Sequence, residues 1–237
     1  MSLPFSFKQF TVHQDRCAMK IGTDGVLLGA WTPVDASVNS ILDIGTGTGV
    51  IALMMAQRGN AEIVDALEID ADAYEQAVDN FEASPWGDRL FCYHASYQEF
   101  VEEIDDQYDL LISNPPFYAE DYKTADQKRD LARFQDALPF EHILIGATKL
   151  LTDLGQLAII VPVNEEQKLV HLGERVGLYP QKITRVRGTL TSEVKRSMLL
   201  FGKKRGEVKT DELVIEISRH QYTKEYISLT QDFYLNM

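Results

Sequence analysis

Ser40-Ile-Leu-Asp-Ile-Gly-Thr-Gly-Thr-Gly-Val-Ile-Ala-Leu-Met-Met-Ala-Gln-Arg58 reads as a buried strand, a glycine turn and an apolar helix in immediate succession. Gly45, Gly47 and Gly49 permit a tight turn and let backbone N–H groups approach a ligand, and the following helix N-terminus adds partial positive charge. A second strand over 63–69 ends in Glu68, with Asp70 just beyond. An acid at that distance past a glycine turn suits the two hydroxyls of a ribose. A dinucleotide site is one reading, but its fingerprint is GxGxxG and here the third glycine comes one residue early. Asp43, just before the turn, repels a pyrophosphate and welcomes an ammonium. S-adenosylmethionine carries a ribose and an ammonium and no phosphate, so the acids favour it.

Further along, the apolar run Tyr108–Ser113 reads as a short buried strand closed by Asn114-Pro115-Pro116-Phe117. Two prolines fix φ near −65° and remove two backbone donors, leaving outward carbonyl acceptors. Asn114 adds a side-chain acceptor and Phe117 a flat apolar face. Rigid acceptors beside an aromatic plate suit a planar group bearing NH2, either an amide or the exocyclic amine of a base. A plain strand-to-loop turn with a buried Phe is the competing reading of the motif alone.

Around these two motifs the chain alternates strands (40–44, 63–69, 89–94, 108–113, 155–161) with helices (49–58, 71–83, 139–151), the pattern of a doubly wound α/β fold with a parallel sheet. A helix over 165–176 and an antiparallel hairpin over 181–188 and 196–202 follow. A short strand near 213–217 and a helix from about Thr223 end the chain. Ahead of the core lie expected strands at 10–12 and 18–21 and a helix over 26–31 that Thr23 or Asp24 could cap. The expected organisation is one domain over 1–237: a preface (1–35), a catalytic core (36–205) and a C-terminal extension (206–237). The polar stretch 118–137 is a candidate loop over the target.

At 237 residues the chain can bury one sizeable core. No apolar run reaches the roughly 20 residues of a membrane span, and the N-terminus does not read as a signal peptide, so a cytoplasmic protein is expected. Cys17 and Cys92 are too few for a zinc site, the five histidines are scattered, and no metal is expected. A monomer is the simplest assembly. The net charge of −13 is awkward for a nucleic-acid partner. Yet 182–209 concentrates Lys182, Arg185, Arg187, Lys195, Arg196, Lys203, Lys204, Arg205 and Lys209 against Glu193 and Glu207 alone, a local stripe able to steer a polyanion.

In their order, DIGTGTG, LEID and NPPF resemble the class I S-adenosylmethionine-dependent methyltransferases that methylate amino groups. The head FKQFTVHQDRCAMKIGTDGVLLGAW and the tail YTKEYISLTQDFYLNM narrow the resemblance to the bacterial family that methylates adenine N6 in valine tRNA, next to the anticodon at position 37. It implies a mostly parallel seven-stranded sheet with a C-terminal antiparallel hairpin. Lys20, Thr23, Asp24, Asp43, Gly45, Gly47, Gly49, Glu68, Ile69, Ser96 and Asn114 are then expected at the cofactor. Family members often place an acid after the third strand to receive the cofactor's adenine amine; the run Cys92–Gln98 offers only Ser96 or a backbone group. Asn114, Pro115 and Phe117 are expected to handle the target amine. Tyr118, Lys123, Lys128, Arg129, Arg133, Arg187, Lys195, Arg196, Lys203, Lys204 and Arg205 are expected to face a tRNA. A ribosomal RNA guanine-N2 methyltransferase and a protein glutamine methyltransferase remain the alternatives, since both hold an NH2 group between the same acceptors.

Overall fold

The computed structural model describes residues 3–116 and 138–237. A two-stranded preface, β1 (Phe5–Ser6) and β2 (Thr11–Val12), precedes helix α1 (Thr23–Trp31). The core then runs β3 (Ser40–Ile44), α2 (Val50–Arg58), β4 (Ile63–Glu68), α3 (Ala71–Glu82) and β5 (Leu90–His94). It continues through α4 (Tyr97–Glu103), β6 (Tyr108–Ser113), α5 (Phe140–Leu150), β7 (Leu151–Pro162) and α6 (Glu166–Val176). The end comprises β8 (Tyr179–Thr189), β9 (Val194–Gly202), β10 (Lys209–Ser218), β11 (Gln221–Tyr222) and α7 (Lys224–Thr230).

Strands β1 and β2 pair by themselves, and β3 to β11 form one sheet in the order β11-β10-β8-β9-β7-β6-β3-β4-β5. Strands β5, β4, β3, β6 and β7 are parallel, and β9 inserts antiparallel between β7 and β8. The expected seven-stranded plan is present and is extended to nine strands. β10 pairs in parallel with β8, with Leu213 opposite Val186, and β11 folds back on β10. The extension after residue 206 therefore shares the core's sheet.

Alternation along each strand fills two cores. Ile41, Leu110, Ile112, Ala158 and Ile160 face α1, α2, α3 and the C-terminus, whereas Leu42, Ile44, Leu111, Leu157 and Ile159 face α4, α5 and α6. Burial of each such Leu or Ile contributes about 1.5–3 kcal/mol. On the first face α1 lies across α2: a Cβ at Gly29 would sit 2.8 Å from Met54 Sδ, so only glycine allows that approach. Trp31 Nε1 donates to Thr184 Oγ1 (2.8 Å) and carries α1 over β8.

Three local expectations are corrected. Residues 18–21 form no strand, because their polar groups bond within the loop: Ile21 N donates to the Gln14 side chain (3.0 Å). Neither Thr23 nor Asp24 caps α1; Gly22 holds the N-cap position and no side chain bonds the free amides there. Helix α4 was not foreseen, although Ser96 and Glu99 form a capping box at its start.

Candidate active site

The carboxyl ends of β3 and β6 adjoin at the point where strand order reverses, the usual ligand position of an open α/β sheet. Asp43 pairs with Ile112, so two residues on Gly45 and Asn114 stand side by side. Ser113 Oγ donates to the Ile44 carbonyl (2.9 Å) and locks the two strand ends together.

On the β3 side, Gly45, Gly47 and Gly49 all have positive φ. A Cβ at Gly45 or Gly47 would meet no atom within 4 Å, which leaves a cradle open for a ligand. Gly49 differs. Its Cβ would lie 2.6 Å from the Phe81 ring, so that glycine serves the packing of α2 on α3. Glu68 shapes the turn. It accepts from Gly47 N (2.8 Å) through one oxygen and from Ile69 N (2.9 Å) and Asp70 N (3.0 Å) through the other. Burial raises its pKa, and these bonds oppose the shift.

Asp43 is fully buried and accepts from Thr46 Oγ1 (2.6 Å) and Ala52 N (3.2 Å) through one oxygen. Its other oxygen, Oδ1, has no hydrogen-bond partner among the described residues. Burial pushes the carboxyl up to about 7; the two bonds lower it and the charge of Glu68 raises it. An unsatisfied buried acceptor, an open glycine cradle and an acid at the end of β4 fit a ligand with donor groups and a ribose, as S-adenosylmethionine has.

On the β6 side, Asn114 is half-buried and Pro115 buried. The first turn of α1 abuts them: a Cβ at Gly25 would be 3.6 Å from Asn114 Nδ2 and 3.7 Å from Val50. Beside Gly25, Asp24 accepts from Arg196 Nε of β9 (2.7 Å). Lys20 turns back on its own segment and donates to the carbonyls of Gln14 and Cys17. Thr23 is exposed on the same approach, and Ile69 presents a half-exposed apolar side chain just past Glu68. Ser96 is engaged at the α4 N-cap, its hydroxyl on Glu99 (2.7 Å). Phe117, Tyr118, Lys123, Lys128, Arg129 and Arg133 lie outside the described residues.

Strand direction divides the basic stretch 182–209. Arg196 pairs with Pro162 at the carboxyl end of β7, whereas Gly202 pairs with Gln156 in its middle. Arg187, Lys195 and Arg196 therefore stand at the site end, and Lys203, Lys204 and Arg205 lie beyond the other end, separated by six residues of strand, roughly 20 Å. Several of these cations are already engaged: Arg187 with Glu212 (2.6 Å), Lys203 with the Leu151 carbonyl (2.6 Å) and Arg205 over the Tyr179 ring (4.7 Å). Sequence reasoning missed Asn80 and Gln76, buried polar residues of α3 that hold the preface. Their spacing of four on the apolar face of α3 was the available signal.

Among the described residues no group of three or more His, Cys, Asp or Glu could hold a metal ion, and no helix is long and apolar enough to cross a membrane.

Sheet order and glycine turn are those of a class I methyltransferase, and the methyltransferase small domain model matches residues 25–177. A predicted O-methyltransferase from Agrobacterium tumefaciens shares the fold, with a TM-score of 0.69 and 20% identity over 89% of this chain and 96% of that one. Much nearer in sequence is the tRNA1(Val) (adenine(37)-N6)-methyltransferase of Flavobacterium johnsoniae, 65% identical over 98% of this chain and all of the relative. The Bacteroides fragilis protein of that name is 43% identical over the full length of both. The chain belongs to this family of tRNA1(Val) (adenine(37)-N6)-methyltransferases.

Proposed function

We propose that the protein methylates the N6 amine of adenosine 37 in valine tRNA, with S-adenosylmethionine as donor. The observation that carries this reading is the abutment of two unlike strand ends, the glycine cradle on β3 and the acceptor-bearing Asn114-Pro115 end on β6. Glu68, Asp43 and the open space at Gly45 and Gly47 would hold the cofactor, which when bound supplies an activated methyl group. Asn114 and the Pro115 carbonyl accept the two N–H groups of the target amine. This favours the pyramidal nitrogen whose lone pair is released from the ring, an orienting and electrostatic contribution. Phe117 stacks on the base after it leaves the anticodon loop, where unstacking costs less than in a duplex. Transfer would form the N–C bond as the methyl–sulfur bond of the donor breaks, leaving S-adenosylhomocysteine, and the methylated nitrogen, acidic while positively charged, would release one proton to water without a side-chain base.

The loop backbone then runs along the site-end cations Lys195 and Arg196, and Lys203, Lys204 and Arg205 are within reach only of the stem. Changing Lys195 to Gln should weaken tRNA binding and flatten log affinity against log salt by roughly 0.7–0.9 for the lost phosphate contact, with cofactor binding intact. An unchanged slope removes this surface from the proposal. The reaction itself is tested by nucleoside mass spectrometry of unmodified valine tRNA after incubation with the protein and S-adenosylmethionine. N6-methyladenosine at position 37 is expected; N2-methylguanosine, or methylglutamine in an added protein, would point to one of the alternatives.

A further inference from the structure

We infer that Asn80, buried in the middle of α3, is a positioning residue for the cofactor cradle and acts through a strap formed by residues 13–21. This inference rests on the reading of the glycine turn as the cofactor site. Asn80 is 1% exposed, yet its amide makes three bonds to backbone. Nδ2 donates to the carbonyls of His13 (2.8 Å) and Thr48 (2.9 Å), and Oδ1 accepts from His13 N (2.8 Å). One side chain thus joins three parts of the molecule: α3, the strap and the glycine turn itself. One helical turn earlier, buried Gln76 accepts from Arg16 N (3.1 Å). Outside it, the Arg16 guanidinium pairs with Glu75 (3.3 Å) and Asp79.

The consequence lies one residue further along. Cys17 is delivered to the turn, its Sγ 3.7 Å from the Gly47 carbonyl. Lys20 bonds the Cys17 carbonyl (3.0 Å), and the chain passes from there into the first turn of α1, which abuts Asn114. An apolar residue at position 80 would join the surrounding core without desolvating an amide. A buried amide whose donors and acceptor all go to the strap and the glycine turn instead sets the distance between them. The strap carries Lys20 and leads into Thr23 and Asp24, residues expected at the cofactor. Its attachment to α3 sets where they stand.

Two variants test the inference, Asn80→Ala at the centre and Arg16→Ala at the exposed rim, each read by calorimetry with S-adenosylmethionine and by amide hydrogen exchange. Wild-type protein that failed to bind S-adenosylmethionine would count against the cofactor reading, and hydrogen exchange would then judge the strap by itself. The expected result for Asn80→Ala is a cofactor affinity lower by about 10- to 100-fold, with turnover at saturating cofactor retained. Arg16→Ala should lower affinity by about two- to threefold. In both, exchange should quicken at the amides of residues 13–21 and 46–49 ahead of the sheet. The inference is overturned by a folded Asn80→Ala protein with unchanged affinity, or by exchange that quickens uniformly over the core. Should Asn80→Ala not fold, Arg16→Ala decides, and no change in either readout then overturns it.

Discussion

β3 and β6 are neighbours in the sheet, buried alike and bonded to one another, yet they end in unlike backbone. β3 runs into three glycines with positive φ, whose amides are engaged by Leu67, Glu68 and Thr46 and of which Gly45 and Gly47 leave open space. β6 runs into Asn114-Pro115-Pro116, where the two prolines have no amide hydrogen and offer carbonyl acceptors beside the Asn114 amide. One end leaves room and the other presents rigid acceptors. A bulky methyl donor and a methyl acceptor bearing NH2 can therefore be sorted to adjacent places by backbone conformation, before any catalytic side chain is considered.

The contrast breaks most visibly at Asn114. Asn114→Ala should lower turnover by about 10²–10³-fold while cofactor affinity moves by less than about twofold, because the amine is held chiefly as the nitrogen pyramidalises. Single-turnover rates beside calorimetry check this, and near wild-type turnover would reduce the β6 end to a structural turn.

On the β3 side, Gly47→Val and Gly49→Val separate two uses of one turn. Each carries a left-handed strain of about 1–2 kcal/mol. Gly47→Val should also fill the cradle and abolish measurable cofactor binding in a folded protein. Gly49→Val, which drives a Cβ into Phe81, should lose more in melting temperature than Gly47→Val does. Equal melting temperatures would dissolve the distinction.

Glu68→Ala should weaken cofactor binding by about 1.5–3 kcal/mol, as expected of charge-assisted bonds. It should also lower the melting temperature, since it frees the amides of Gly47, Ile69 and Asp70. Loss of stability without loss of affinity would leave Glu68 a turn-former alone.

The smallest effect concerns pH. With Asp43 raised to about 7 and an unfolded carboxyl near about 3.9, the folded state holds the proton more tightly. The associated stability is complete below the unfolded value and is lost as pH rises through 7. Glu68, raised in the same direction, acts with the same sign. Asp43→Asn should therefore lack part of this decline, seen as a flatter melting temperature against pH between 4 and 8. A parallel profile would show that Asp43 does not titrate in that range.

Much of this molecule was legible as local pattern. Strands β3 and β6 have the expected limits, 40–44 and 108–113, because continuous apolar runs bounded by glycine and proline leave little choice of conformation. The glycine turn and the places of Glu68 and Asn114 at their strand ends were legible for the same reason: they follow from residue type and from the limits of the adjoining strands. Tertiary structure alone decided which glycine faces open space, since Gly47 and Gly49 look equivalent until Phe81 packs on one of them. It also divided the basic stretch, because β9 runs antiparallel to β7 and carries residues a few positions apart to opposite ends of the sheet. Likewise, Asn80 and Gln76 read as ordinary polar residues of a helix. Their partners lie 60 and 67 residues away in the preface or 32 away at Thr48, and pairing over such separations is set by the packing of whole elements.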